Sequence, residues 1–135
     1  MIGMNKKTLL GVVLMSGLLA HQLNAREHQS FDKDWLFVLA DSAGMQKSEY
    51  ADGHWRRLNL PHDWAIEGDF SPSNPSGAGG GALPGGIGWY RKHFSVNPKE
   101  KYDRFTITFD GVYMNSTVYI NGHKLGTRPY GYSTF

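Results

Sequence analysis

The chain has 135 residues, 40% of them apolar and 13% aromatic, with 17 Gly, 4 Trp and no Cys. That is one domain's worth of polypeptide, too short for a (β/α)₈ barrel of roughly 250 residues, and without Cys it has no disulfide, thiolate nucleophile, zinc knuckle or iron–sulfur centre. Lys6 and Lys7 are two of its 14 Lys and Arg, and the first 25 residues hold none of its 12 Asp and Glu, so residues 26–135 carry 12 − 12 = 0 formal charge, which gives no support to binding of nucleic acid or an anionic membrane, for which a concentrated positive face is needed.

Lys6 and Lys7 begin a positive start, Thr8 to Ala20 an apolar run, and Leu23-Asn24-Ala25 a small-residue exit before Arg26. This pattern predicts an export signal over residues 1–25 and a periplasmic or secreted product with no membrane segment after cleavage. The apolar run is shorter than the ~20 residues a spanning helix needs.

Beyond it the apolar residues alternate far more often than they follow helical spacing. Trp35, Phe37 and Leu39 with Leu36 and Val38 predict a strand buried largely on both faces. Asp52-Gly53 signals a turn before Trp55. Tyr90, Phe94 and Val96 share one face of a second strand, opposite Arg91, His93 and Ser95. Phe105, Ile107 and Phe109 against Thr106 and Thr108 give the cleanest half-buried pattern, and Asp110-Gly111 is a further turn signal. Thr117 to Ile120 predicts a strand that Asn121-Gly122, suited to two positive φ values, folds into a hairpin with His123-Lys124-Leu125. About six short strands at this spacing predict an all-β sandwich of jelly-roll type. The last residues, Tyr132 to Phe135, hold no turn residue and no polar tail, so the domain is expected to be truncated at its C-terminal end, with an open sheet edge.

Between Asp63 and Gly88 the periodicity is lost, and residues 77–88 hold seven Gly. They predict a long, mobile loop, either functional or disordered. Neither phosphate-loop pattern is present, and a strand, not a helix, follows. His62, Asp63, Glu67 and Asp69 suggest a metal or a carboxylate pair, but no second His stands at ligand spacing, and a polar loop making turn hydrogen bonds is the simpler reading. Asn115-Ser116-Thr117 matches a glycan acceptor and equally a turn. Trp64, Trp89 and Tyr90 flank the Gly-rich loop. Aromatic faces beside amides or carboxylates can hold a sugar by stacking and directed hydrogen bonds, and the same rings can equally be core.

Five motifs stand in one order: Leu60-Pro61-His62-Asp63-Trp64 with Ile66-Glu67-Gly68; Leu83-Pro84-Gly85-Gly86-Ile87-Gly88-Trp89-Tyr90-Arg91-Lys92; Phe109-Asp110-Gly111-Val112-Tyr113; Tyr119-Ile120-Asn121-Gly122-His123; and Pro129-Tyr130-Gly131-Tyr132. From about Phe31 onward the chain resembles the N-terminal sugar-binding domain of family 2 glycoside hydrolases, above all exported bacterial β-galactosidases. The resemblance implies a galactose-binding-like jelly roll followed by an immunoglobulin-like sandwich and a barrel with two catalytic Glu residues, both beyond this chain. No catalytic residue, cofactor or metal is assigned here. Asn74-Pro75-Ser76-Gly77 is similar to a family loop that brings an Asn into the galactose site, although a Gly-rich insertion follows it. The implied partners are a β-galactoside and the downstream domains, and the candidate substrate-binding residues are Asn74, Trp64, Trp89 and Tyr90. A self-sufficient carbohydrate-binding module, a purely structural sandwich, and a β-glucuronidase or β-mannosidase of the same family are the alternatives.

Overall fold

The computed structural model describes residues 27–97, 99 and 104–135, and the predicted export signal lies outside them. The described residues form five strands and two short 3-10 turns, with no α-helix. The strands are β1 (Trp35–Leu39), β2 (Arg56–Leu58), β3 (Gly88–Arg91), β4 (Ser116–Ile120) and β5 (His123–Arg128). The 3-10 turns are Trp64–Glu67 and Ala78–Gly80. No helix among the described residues is long and apolar enough to cross a membrane.

β1 lies at the centre of an antiparallel three-stranded sheet of order β2-β1-β3. Its alternation separates two faces. Trp35 and Phe37 are 8% and 6% exposed, Leu36 and Val38 are half-buried, and Leu39 at the end is 50% exposed. One face of β1 is thus buried more deeply than the other, where the sequence predicts burial on both. With Met45 from the β1–β2 connection and Trp55 before β2, Trp35 and Phe37 make up the core of the described residues.

β4 and β5 form the predicted hairpin. Asn121 and Gly122 adopt φ of 48° and 81°, the paired positive values of a tight turn whose twist matches the strands. The register shifts between Val118 and Tyr119, which face Gly126 and Lys124, leaving Leu125 as a bulged residue that is 65% exposed. The Asp52-Gly53 turn also forms, closed by the Trp55 amide on the Asp52 carbonyl at 2.9 Å.

Two predicted strands come out shorter. β3 ends at Arg91, and Phe94 and Val96 are 47% and 42% exposed. The reason lies in β1: Leu36 is the last residue paired with β3, and Asp34 turns away at φ 58°, so residues beyond Arg91 have no ladder to join. Phe105 to Phe109 does not form a strand. Its single ladder-like contact is between Phe109 and Phe135, whose amides and carbonyls exchange bonds of 2.8 and 3.0 Å while their rings stack at 5.2 Å. Alternation supplies a pattern for one face, but a strand also needs a paired ladder, and no strand is formed over residues 104–109.

Candidate carbohydrate-contacting site

Residues directly opposite in an antiparallel sheet share a face. The register therefore puts Phe37, Tyr90 and Arg56 on one face with the Leu39–Gly88 pair, and Val38, Trp89, Leu36, Arg91 and Arg57 on the other. Trp89 and Tyr90, neighbours in sequence, point to opposite sides. The four candidate residues consequently do not converge on one point.

On the first face, His62 and the following 3-10 turn cover Phe37 and Tyr90. The His62 ring lies 4.9 Å from Phe37, and its Nδ1 is 2.7 Å from the Tyr90 hydroxyl. Its Nε2 stands 2.9 Å from an Arg56 nitrogen and 3.1 Å from Glu67 Oε1, while Arg56 donates to Glu67 Oε2 at 2.6 Å. The Arg56 guanidinium also lies over the Phe37 ring at 5.4 Å. Hydrogen bonding from Arg56 holds the Glu67 carboxyl below its ordinary value. Burial, helped by the negative Asp63 and Glu67 nearby, pushes the Tyr90 phenol up to about 12. Tyr90 is thus a neutral hydrogen-bonding group across the whole physiological range.

Asp63 caps the 3-10 turn by accepting from the Ala65 amide at 2.9 Å, the turn hydrogen bonding foreseen for this polar segment. The cap brings the Trp64 indole against Gly86 and Gly88. A Cβ on Gly88 would stand 2.9 Å from Trp64 Nε1 and 3.0 Å from Phe37, so glycine is what allows the indole to lie on the backbone entering β3. Among the described residues, no three His, Asp or Glu side chains are grouped to hold a metal ion.

The Gly-rich segment is extensively hydrogen-bonded to itself. The Ser71 amide bonds the Ala82 carbonyl and the Ala82 amide the Gly77 carbonyl, at 3.1 and 2.7 Å. The Asn74 amide nitrogen donates to the Asp69 and Ala82 carbonyls, both at 2.8 Å, and Ser76 Oγ donates to the Leu83 carbonyl at 2.8 Å. Asn74 therefore uses both amide hydrogens to close the base of the loop, and its Oδ1 is the group left to meet a ligand. Gly85 approaches Pro75 so closely that a Cβ would stand 3.0 Å from its ring. What the sequence suggests as a mobile excursion is a folded loop resting on Trp64.

On the second face, Trp89 stacks on Tyr119 of β4, ring centroids 5.7 Å apart and planes 24° from parallel. Trp89 Nε1 donates to Asp41 Oδ1 at 3.4 Å. These residues line an open cleft of about 420 Å³ together with Ser42, Ala43, Gly44 and Gln46. Beside it, Arg91 donates to the Met45, Lys47 and Tyr50 carbonyls and to Asp52 Oδ2, and packs over Trp55 at 4.8 Å. His93 Nε2 lies 2.7 Å from the same Asp52 oxygen. Burial works to raise the Asp52 carboxyl, but the bonds from His93 and Arg91 outweigh it and hold the group below its ordinary value. Sequence reasoning passed over Asp41, and it placed Arg91 on the strand face opposite Tyr90 without giving it a partner. The available signal for Arg91 was its position one residue past Tyr90 in a strand, which directs a long cation onto the face beneath the β1–β2 connection.

No protein-family model matches the chain. It is 59% identical over 113 residues to the β-galactosidase BoGH2A of Bacteroides ovatus, a match covering 84% of this chain and 13% of that protein. It is 47% identical over 110 residues to a putative β-glucuronidase of Formosa agariphila, covering 82% of this chain and 11% of the relative. Among solved structures, a β-glycosidase from Bacteroides vulgatus superposes with a TM-score of 0.74 at 50% identity over 78% of this chain and 14% of that one. A glycosyl hydrolase family 2 member from Bacteroides cellulosilyticus gives 0.74 at 41% identity over 79% and 15%. The chain thus spans only 11–15% of the length of the proteins it matches. Their sequences, and the all-β fold that superposes on theirs, carry the same conclusion as the five ordered motifs: the chain belongs to glycoside hydrolase family 2.

Proposed function

We propose that this chain acts as the N-terminal jelly-roll sandwich of a longer, exported retaining β-galactosidase-like hydrolase, where it scaffolds and edges the cleft in which a β-galactoside is cleaved. The supporting observation is the 59% identity over 84% of the chain to a β-galactosidase. In this reading the reaction belongs to a barrel outside these 135 residues. Two carboxyl groups about 5–5.5 Å apart carry out double displacement: one attacks the anomeric carbon while the other protonates the leaving oxygen and later activates water. The folded loop at residues 69–86 is the part of this chain suited to the rim of such a cleft. Asn74, tied to the Asp69 and Ala82 carbonyls, presents Oδ1 as an acceptor for a sugar hydroxyl, and Trp64, in the turn that Asp63 caps, lends an apolar wall. A β-glucuronidase is the second reading, favoured by the 47% identity to a protein of that description. The periplasmic or secreted location rests on residues 1–25 alone.

The test is hydrolysis by the complete gene product of a chromogenic β-galactoside and, in parallel, of the corresponding β-glucuronide. Preference for the galactoside, with no turnover by residues 26–135 alone, is the expected result. Hydrolysis by that segment in isolation, or failure of the complete protein on both substrates, overturns the reading.

A further inference from the structure

Among the described residues, β5 has a strand neighbour on one side only. It pairs with β4 in a two-stranded sheet, and all six of its residues are exposed. Alternate residues of an antiparallel strand turn their N–H and C=O groups away from the strand they are paired with, so β5 presents a row of free donors and acceptors on the side opposite β4. At about 3.3 Å per residue that row is about 20 Å long, enough for a partner strand of about six or seven residues.

The side chains along the row set the charge of such a partner. The hairpin register puts Lys124 on the face of Tyr119, and Arg128 and His123 on the opposite face with Ser116 and Ile120. Cations therefore flank the edge on both faces. Neither Lys124 nor Arg128 has a carboxylate within ion-pairing distance among the described residues, and Arg128 lies instead over the Phe135 ring at 5.1 Å. A second copy of β5 would bring the same charges to the seam, which like-charge contacts disfavour. No two of the 12 acidic residues of this chain are adjacent, so it carries no short acidic run of its own to lay there.

We infer that the outer edge of β5 is a docking site for an extended acidic segment of a separate polypeptide, which adds a strand to the β4–β5 sheet. Main-chain hydrogen bonds supply the pairing, and carboxylates on both faces of the incoming strand, set against Lys124 and Arg128, supply the selection. The bulged Leu125, 65% exposed between the two cations, adds an apolar contact in the middle of the seam. The site uses no residue of the proposed cleft rim and does not depend on the hydrolytic reaction.

The test uses a dye-labelled seven-residue peptide with a threonine–valine–threonine centre and two glutamates at each end, beside a counterpart with lysines in place of the glutamates. Fluorescence anisotropy with the 135-residue chain is expected to show saturable binding of the glutamate peptide, with a dissociation constant on the order of 100 micromolar, and none of the lysine peptide. Hydrogen exchange read by mass spectrometry is expected to slow over residues 123–128 when the glutamate peptide is bound. Lys124→Glu combined with Arg128→Glu is expected to weaken the glutamate peptide by about tenfold and to admit the lysine peptide. Absence of glutamate-peptide binding, equal binding of the two peptides, slowed exchange elsewhere than residues 123–128, or a charge-reversed chain that still prefers glutamate overturns the inference. Exchange over 123–128 that dextran sulfate slows equally would make the edge a general polyanion surface and overturns it too. So does protection of these residues in the complete gene product without peptide, which would put the protein's own downstream chain on the edge.

Discussion

Arg91 shows how much organisation a single side chain can bring. Its guanidinium donates to three carbonyls of the connection between β1 and β2 and to Asp52, and it stacks on Trp55, with 13% of the side chain exposed. A planar fork can satisfy that many acceptors and an ammonium cannot. Arg91→Ala is therefore expected to cost ~2–4 kcal/mol in urea denaturation, with Arg91→Lys recovering only part of it.

Two titrations follow from neighbouring residues. The Asp52 carboxyl is depressed in the folded chain, so its contribution is fully present above the unfolded value of about 3.9 and is lost as pH falls through the lower folded value. Asp52→Asn should flatten the acid limb of the stability curve below about pH 4. Tyr90 shifts the other way: its contribution is intact below the unfolded value of about 10 and is lost as pH rises toward about 12. In a spectrophotometric titration, Tyr90 should ionise well above the ordinary tyrosine value of about 10, and Tyr90→Phe should abolish that late step.

At the scale of elements, the close contact between β3 and the Trp64 turn depends on bare backbone. Gly88→Ala puts a methyl 2.9–3.0 Å from Trp64 and Phe37, and is expected to cost ~1–3 kcal/mol and to change the Trp64 environment in near-ultraviolet circular dichroism. Hairpin chemistry was legible in advance because Asn121-Gly122 is a local signal, and β1 was legible because its deeply buried Trp35 and Phe37 alternate with less buried neighbours. β3 was overextended because its length is set by where β1 ends, which depends on the positive φ of Asp34 and on no residue of β3 itself. The Gly-rich loop was read as mobile because its order comes from Asn74 and Ser76 reaching carbonyls five to eight residues away, contacts that leave no period in the sequence. The separation of Trp89 from Tyr90 was implicit in the two-residue repeat of a strand, yet grouping them as aromatics around one loop overrode it.

At the scale of the molecule, four buried apolar residues stand against fourteen large exposed ones among the described residues, including Phe94, Phe105, Tyr113, Tyr130 and Tyr132. That is far more uncovered apolar surface than a soluble monomer of this size presents. Isolated residues 26–135 are expected to self-associate in light scattering and to bind a hydrophobic dye, and a monodisperse monomer with a cooperative melt would contradict this expectation.

The position of β1 also bears on how the chain reaches its fold. This strand is synthesised first among those described, yet its hydrogen-bonded neighbour on one flank arrives only with Gly88–Arg91, some fifty residues later at the Leu39–Gly88 pair. Its other flank is filled earlier, by Arg56–Leu58. A nascent chain leaving the ribosome must therefore keep Trp35 and Phe37 waiting, and refolding from denaturant should be limited by that distant ring closure rather than by the fast Asn121-Gly122 hairpin.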